Sequence, residues 1–208
     1  MRRPPPSPLV PRLPWALLVL AIAAAAQGQT AQTLSSRSRI AAASEAVLDS
    51  LYGPLVYIMV EGERGIYPGL PLAGKRDFLR MFWNKRDPTP GTERNEAEEA
   101  FNARIAFVNR KFSEGGTSPT PGWRTDRGRI YLKYGPPDVN LNRRGVGREL
   151  PFQVWGYTSG STRRKYCFVD LTRFGNYSLV YSSDKSEPTR GDWRELIGWD
   201  AYDDVLNF

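Results

Sequence analysis

Apolar positions along the chain recur first at intervals of three and four and later in short runs with strand character, which predicts helices followed by strands. Ile40, Ala43, Val47 and Leu51 fall on one face of a helix that Gly53-Pro54 should end. Residues 55–60 (LVYIMV) form a continuous apolar run with strand character, and Glu61-Gly62-Glu63-Arg64-Gly65 supplies turn signals after it. A second short helix is expected over 75–83, with Phe78, Leu79 and Phe82 buried, before a loop punctuated by Pro88, Pro90 and Gly91. The clearest stripe, Ala97, Phe101, Ile105, Val108 and Phe112, predicts a helix over 94–112. Glu96, Glu98 and Glu99 at its start and Arg110 and Lys111 at its end complement the helix dipole, and Gly115-Gly116 stops it.

Residues 119–138 (PTPGWRTDRGRIYLKYGPPD) are the most unusual stretch. Thr125 or Asp126 can accept a backbone N–H as a helix N-cap, Ile130, Tyr131 and Tyr134 would share a buried side, and Gly135-Pro136-Pro137 terminates the element. A strand with Ile130, Leu132 and Tyr134 on one face fits the same residues; the start and stop chemistry at both ends favours the helix. Beyond a Gly/Arg-rich loop at 140–148, residues 152–157, 165–170 and 177–182 read as strands joined by hairpin-length connections through Ser159-Gly160 and Gly175-Asn176. The expected class is α+β, with N-terminal helices packed on a small antiparallel sheet of C-terminal hairpin strands. The tail, 186–208, carries Trp193, Leu196, Ile197, Trp199 and Tyr202 around an interrupting Gly198 and is expected to dock on its own domain.

The N-terminus changes the picture of the charge. Arg2, Arg3 and Arg12 precede an apolar run at 15–26 (WALLVLAIAAAA), which reads as a secretory signal peptide and is too short to span about 30 Å of hydrocarbon as a helix. Cleavage after Ala26 or after Gly28 fits, with a polar, flexible leader over 27–39 and the domain over 40–185. Loss of 1–26 removes three arginines and no acid, so the formal charge falls from +7 to +4. The remaining basic clusters, Arg143-Arg144 and Arg163-Arg164-Lys165, are short and sit beside glycines and turns, so a nucleic-acid partner is not expected. The expected location is periplasmic or secreted, with no transmembrane segment after cleavage.

Composition then narrows the chemistry. The chain has no His and a single Cys, which excludes a Ser-His-Asp or Cys-His nucleophile, a His-ligated metal, a four-thiolate zinc site and an intrachain disulfide. No cofactor and no metal are expected: Asp126, Asp138, Asp200, Asp203 and Asp204 lack the alternating carboxylate spacing of a calcium loop. A carboxylate pair drawn from Asp87, Asp126 and Asp138 keeps a carbohydrate-acting hydrolase open as the rival reading. Cys167, between Tyr166 and Phe168 in a strand, should point away from both and be buried.

The order of motifs carries a resemblance. Gly122-Trp123-Arg124-Thr125-Asp126, with Arg127-Gly128-Arg129-Ile130-Tyr131 and Tyr134-Gly135-Pro136-Pro137-Asp138 after it, resembles the signature of the bacterial GWxTD domain family. Phe82-Trp83, Arg86-Asp87-Pro88-Thr89-Pro90-Gly91-Thr92 and Asn95-Glu96 match an upstream block of that family. Pro151-Phe152, Trp155, Phe168-Val169-Asp170 and Tyr177-Ser178-Leu179-Val180 match its closing strands. The resemblance implies an exported protein and brings no catalytic residues with it. Two readings of the signature follow from its residue types. In one, Gly122, Thr125, Gly135, Pro136, Pro137 and Asp138 build a rigid frame, Trp123 plugs the core edge, and Asp126 caps the helix and pairs with Arg86 or Arg127. In the other, Trp123, Tyr131 or Trp155 offers an aromatic platform and Arg86, Arg124 or Arg127, near Asp126, an anion contact, for an envelope protein or a glycan. The expected function is a non-enzymatic interaction or envelope-assembly module.

Overall fold

The computed structural model describes residues 36–207 apart from Val146 and Arg148. The expected signal segment and the leader up to Ser35 lie outside the described residues. Among the described residues, seven α-helices and four strands follow in order: α1 (Ser36–Ala42), α2 (Glu45–Leu55), α3 (Leu72–Asn84), α4 (Glu96–Phe112), α5 (Asp126–Tyr134), β1 (Val139–Arg143), β2 (Phe152–Ser159), β3 (Thr162–Asp170), β4 (Tyr177–Ser182), α6 (Trp193–Ile197) and α7 (Trp199–Asn207). The class is α+β, as expected, with one antiparallel meander in the order β1-β2-β3-β4.

Three layers result. The first core joins α1 to α4, with Ile40, Leu48, Leu55, Leu79, Phe82, Phe101 and Val108 buried together. Ile130 of α5 packs on one face of the sheet against Trp155, Tyr157, Tyr166, Phe168 and Leu179. The other face, through Phe152, Val154, Cys167, Val169 and Val180, is covered by Trp193, Ile197 and Val205 of the tail. Period-2 alternation thus sends Tyr166 and Phe168 one way and Cys167 the other, and burial pushes the Cys167 thiol up to about 12.

Several elements depart from the sequence expectation. The first helix breaks at Ala43-Ser44, and the new phase buries Leu48 and Leu55 while leaving Val47 and Leu51 exposed. Gly53 and Pro54 lie inside α2 rather than ending it. Pro54 is in the last turn, where its carbonyl still accepts the Tyr57 N–H. Residues 55–60 are therefore not a strand: the chain leaves α2 through turns that bury Met59 and expose Val60. The 140–148 loop also needs correction, because its first residues belong to β1, paired from Val139↔Gly156 to Arg143↔Phe152. Its sequence, VNLNR, offers the core only the half-buried Leu141, too little apolar pattern to mark a strand.

The other edge strand is closed by acids from the helical side. The Tyr177 N–H donates to Glu114 Oε1 at 3.1 Å and the Leu179 N–H to Asp126 Oδ2 at 2.8 Å. Arg190 N–H donates to the Val180 carbonyl at 2.9 Å. Backbone groups that would otherwise face an open edge are satisfied within the molecule.

Candidate functional site

The signature begins in a single turn of 3-10 helix, Gly122–Arg124, wedged against α4. A Cβ on Gly122 would lie 1.9 Å from the Val108 carbonyl oxygen, so only glycine permits this approach. The turn is pinned by two side chains at the end of α4, that of its C-cap Ser113 and that of Asn109: Ser113 Oγ accepts the Gly122 N–H and Asn109 Oδ1 the Trp123 N–H, each at 3.1 Å. Thr125 is the N-cap of α5. Its hydroxyl accepts the Gly128 N–H at 3.1 Å and donates to the Gly122 carbonyl at 2.8 Å. The C-terminal end is equally fixed: Gly135 has φ +83°, its carbonyl accepts the Tyr157 hydroxyl, and past Pro136-Pro137 Asp138 Oδ2 accepts the Thr158 N–H at 2.6 Å.

The sequence-derived site residues separate into two groups on this frame. Trp123 and Arg124 reach the surface. Trp123 is half-buried, its six-membered ring lying over Gly53 of α2, where a built Cβ would be 3.0 Å from Cη2; Arg124 is exposed with its guanidinium 4.8 Å from the ring centroid. The remaining members are packed or paired within the molecule. Arg127 is buried, bonded to Glu114 and the Gly175 carbonyl and stacked 3.9 Å from the Tyr177 ring centroid. Trp155 is 2% exposed, and Tyr131 stacks on Phe107 at 4.7 Å. Arg86 belongs to a separate cluster, paired with Glu63 at 2.6 Å over the Phe82 ring, which holds the Glu63 carboxyl below its usual range. Asp126 pairs with Arg129, not with Arg86 or Arg127 as expected, because one turn of α5 brings position 129 back over it.

The candidate carboxylates are each engaged by backbone. Asp87 Oδ1 accepts the Thr89 N–H, Asp126 Oδ2 the Leu179 N–H and Asp138 Oδ2 the Thr158 N–H. Among the described residues no group of three or more acids or thiols is placed to hold a metal ion.

Beside the signature turn lies a cleft of about 400 Å³. One wall is apolar and aromatic, from Tyr52, Val56, Tyr57 and Met59 at the end of α2; the other is cationic, from Arg129 and Lys133 of α5, with Arg64-Gly65 completing the lining. Tyr57 also faces Trp123, at 6.3 Å between ring centroids, so cleft and turn form one continuous surface. Burial raises the Tyr57 hydroxyl's pKa, partly offset by the charges of Arg129 and Arg124.

Glu187, from the segment after β4, is clamped between Arg129 and Lys133, with Lys133 Nζ at 2.7 Å and Arg129 in contact. Burial raises its pKa, but the two hydrogen-bonded cations outweigh that and hold the carboxyl below its usual range. The pair is therefore fixed in place, and it shows that these two cations accept a carboxylate. Tyr57, Arg64, Arg129, Lys133 and Glu187 were not among the residues singled out from sequence. The i,i+4 spacing of Arg129 and Lys133 marks one helix face, whereas nothing local connects Glu187 to it.

No curated protein and no solved structure matches the chain. A family model does: the GWxTD domain matches residues 26–195, from the α1 region through β4 and into α6. The chain belongs to the GWxTD domain family.

Proposed function

We propose that the protein is an exported, non-enzymatic interaction module, an envelope-assembly component that engages an envelope partner through the surface formed by Trp123, Arg124 and Tyr57. The observation that carries this reading is the contrast within the signature: its Gly, Thr and Asp residues are engaged in backbone packing and capping, while Trp123, pinned by Asn109 and packed over Gly53, and Arg124 reach the surface with the Arg124 guanidinium over the indole. A fixed aromatic-arginine pair presents large contact area at low entropic cost, the composition of protein hot spots. Export rests on the basic n-region and apolar 15–26 segment. A carboxylate-pair hydrolase is the less favoured alternative, since Asp87, Asp126 and Asp138 each hold a backbone amide and none lines the cleft. The test is affinity capture from envelope extract with the wild type, Trp123→Ala and Trp123→Phe, each shown to be folded by circular dichroism. Loss of captured proteins with Ala and their recovery with Phe is expected; the same set in all three contradicts the proposal.

A further inference from the structure

We propose that the cleft beside the signature turn receives the C-terminal residue of a partner peptide, its α-carboxylate on Arg64 and its apolar side chain on Tyr52 and Tyr57. The inference rests on the interaction reading above and names what the surface holds.

Charge balance favours a ligand with a single negative charge. Arg129 and Lys133 are compensated by Asp126 and Glu187, while Arg64 is exposed and bonds to no carboxylate among the described residues. One cation of the three lining the cleft is left over, which suits a monoanion better than a phosphate dianion. The opposite wall demands an apolar body. Tyr52 is stacked on buried Tyr67 at 4.0 Å and Tyr57 is braced by Trp123, so this wall is rigid before any ligand arrives. Neither the Tyr52 nor the Tyr57 hydroxyl bonds to a described residue.

Carboxylate and apolar group must therefore lie within one cleft of about 400 Å³, at the small end of ligand sites. A chain terminus meets that condition because its carboxylate and side chain leave the same Cα. An internal Asp or Glu does not, since its carboxylate ends the side chain and the apolar contact must come from a neighbour. Capture of a terminal carboxylate is a recurrent mode of peptide recognition.

The test uses three tripeptides titrated into the chain and followed by backbone amide shifts: N-acetyl-Ala-Ala-Phe with a free terminus, the same peptide amidated, and amidated N-acetyl-Ala-Asp-Phe. The free-terminus peptide is expected to shift the amides of Tyr57, Gly65 and Arg129 and to bind about tenfold more tightly than either amidated one. Arg64→Gln, at an exposed turn position, should abolish that difference and Arg64→Lys retain most of it. Equal affinity of the free and amidated peptides, equal affinity of the internal-Asp peptide, or no shift of the cleft amides overturns the assignment. Those results leave the capture experiment standing, whereas an unchanged captured set with intact peptide binding removes the interaction reading and not the cleft.

Discussion

A Cβ on Gly128 would lie 1.8 Å from the carbonyl oxygen of Gly122. The two glycines of the signature are thus in mutual contact, backbone on backbone, at the point where the 3-10 turn enters α5. Gly128→Ala cannot be absorbed by a rotamer change, because the obstructing atom is main chain. We expect it to destabilise the fold by at least about 3 kcal/mol, read as a shift in urea midpoint at unchanged slope. The gain in helix propensity from Ala, about 1 kcal/mol, is too small to offset the clash.

Asp126 joins α5 to the sheet edge through the Leu179 N–H and to Arg129 on its own helix. Asp126→Ala removes both contacts and leaves a buried strand residue's amide without its acceptor. A loss of about 2–3 kcal/mol is expected in chemical denaturation. Asp126→Asn preserves a carbonyl oxygen for Leu179 and should lose less than half as much. An equal loss for both variants would show that the charge, not the edge contact, carries the effect.

Stability should fall in acid through the segment after β4. Asp184 accepts the Ser186 backbone N–H as well as the Ser186, Tyr134 and Tyr166 hydroxyls, which bring its pKa from 3.8 to about 2 against the opposing effect of burial. Its folded pKa is below the unfolded one, so its contribution is complete above the unfolded value and is lost as pH falls through the folded value. The amount is about 2 kcal/mol, lost between about pH 5 and pH 2. Asp184→Asn should flatten that part of the pH–stability curve; an identical acid limb in the variant would rule Asp184 out as its source. Glu187, lowered by Lys133 and Arg129 despite its burial, acts in the same direction.

Cys167 is fully buried under the tail, with its thiol raised to about 12, and should be inert to iodoacetamide in the native state near neutral pH. Unfolding in urea should bring its reaction up to that of a free cysteine. Fast native labelling would mean that α6 and α7 leave the sheet readily.

How far these features were legible depends on the range over which each is determined. The α4 stripe, the Thr125 cap and the three later strands follow from local spacing and local hydrogen bonding, and each appears where its residues place it. Gly53-Pro54 misleads because a helix tolerates both residues when tertiary packing holds its last turn. Here the absent side chain at Gly53 accommodates the Trp123 ring from a different element. The β1 strand has a nearly all-polar sequence and is defined by its pairing with β2. At the signature, residue types announced a rigid loop, but only the fold separates the exposed Arg124 from the buried Arg127 three positions on. The cleft was illegible for the same reason: its walls come from the end of α2 and from α5, far apart in the sequence.

On the proposed reading, the signature's packing residues serve the fold while its outward pair serves binding. Arg124→Glu separates the two, since Arg124 is exposed and its guanidinium lies over the Trp123 ring with no carboxylate partner among the described residues. The measurement is the set of proteins captured from envelope extract by this variant, alongside its urea midpoint on the same preparation. A midpoint within about 0.5 kcal/mol of wild type together with loss of the captured partners is expected. An unchanged midpoint with an unchanged set of partners would contradict that reading.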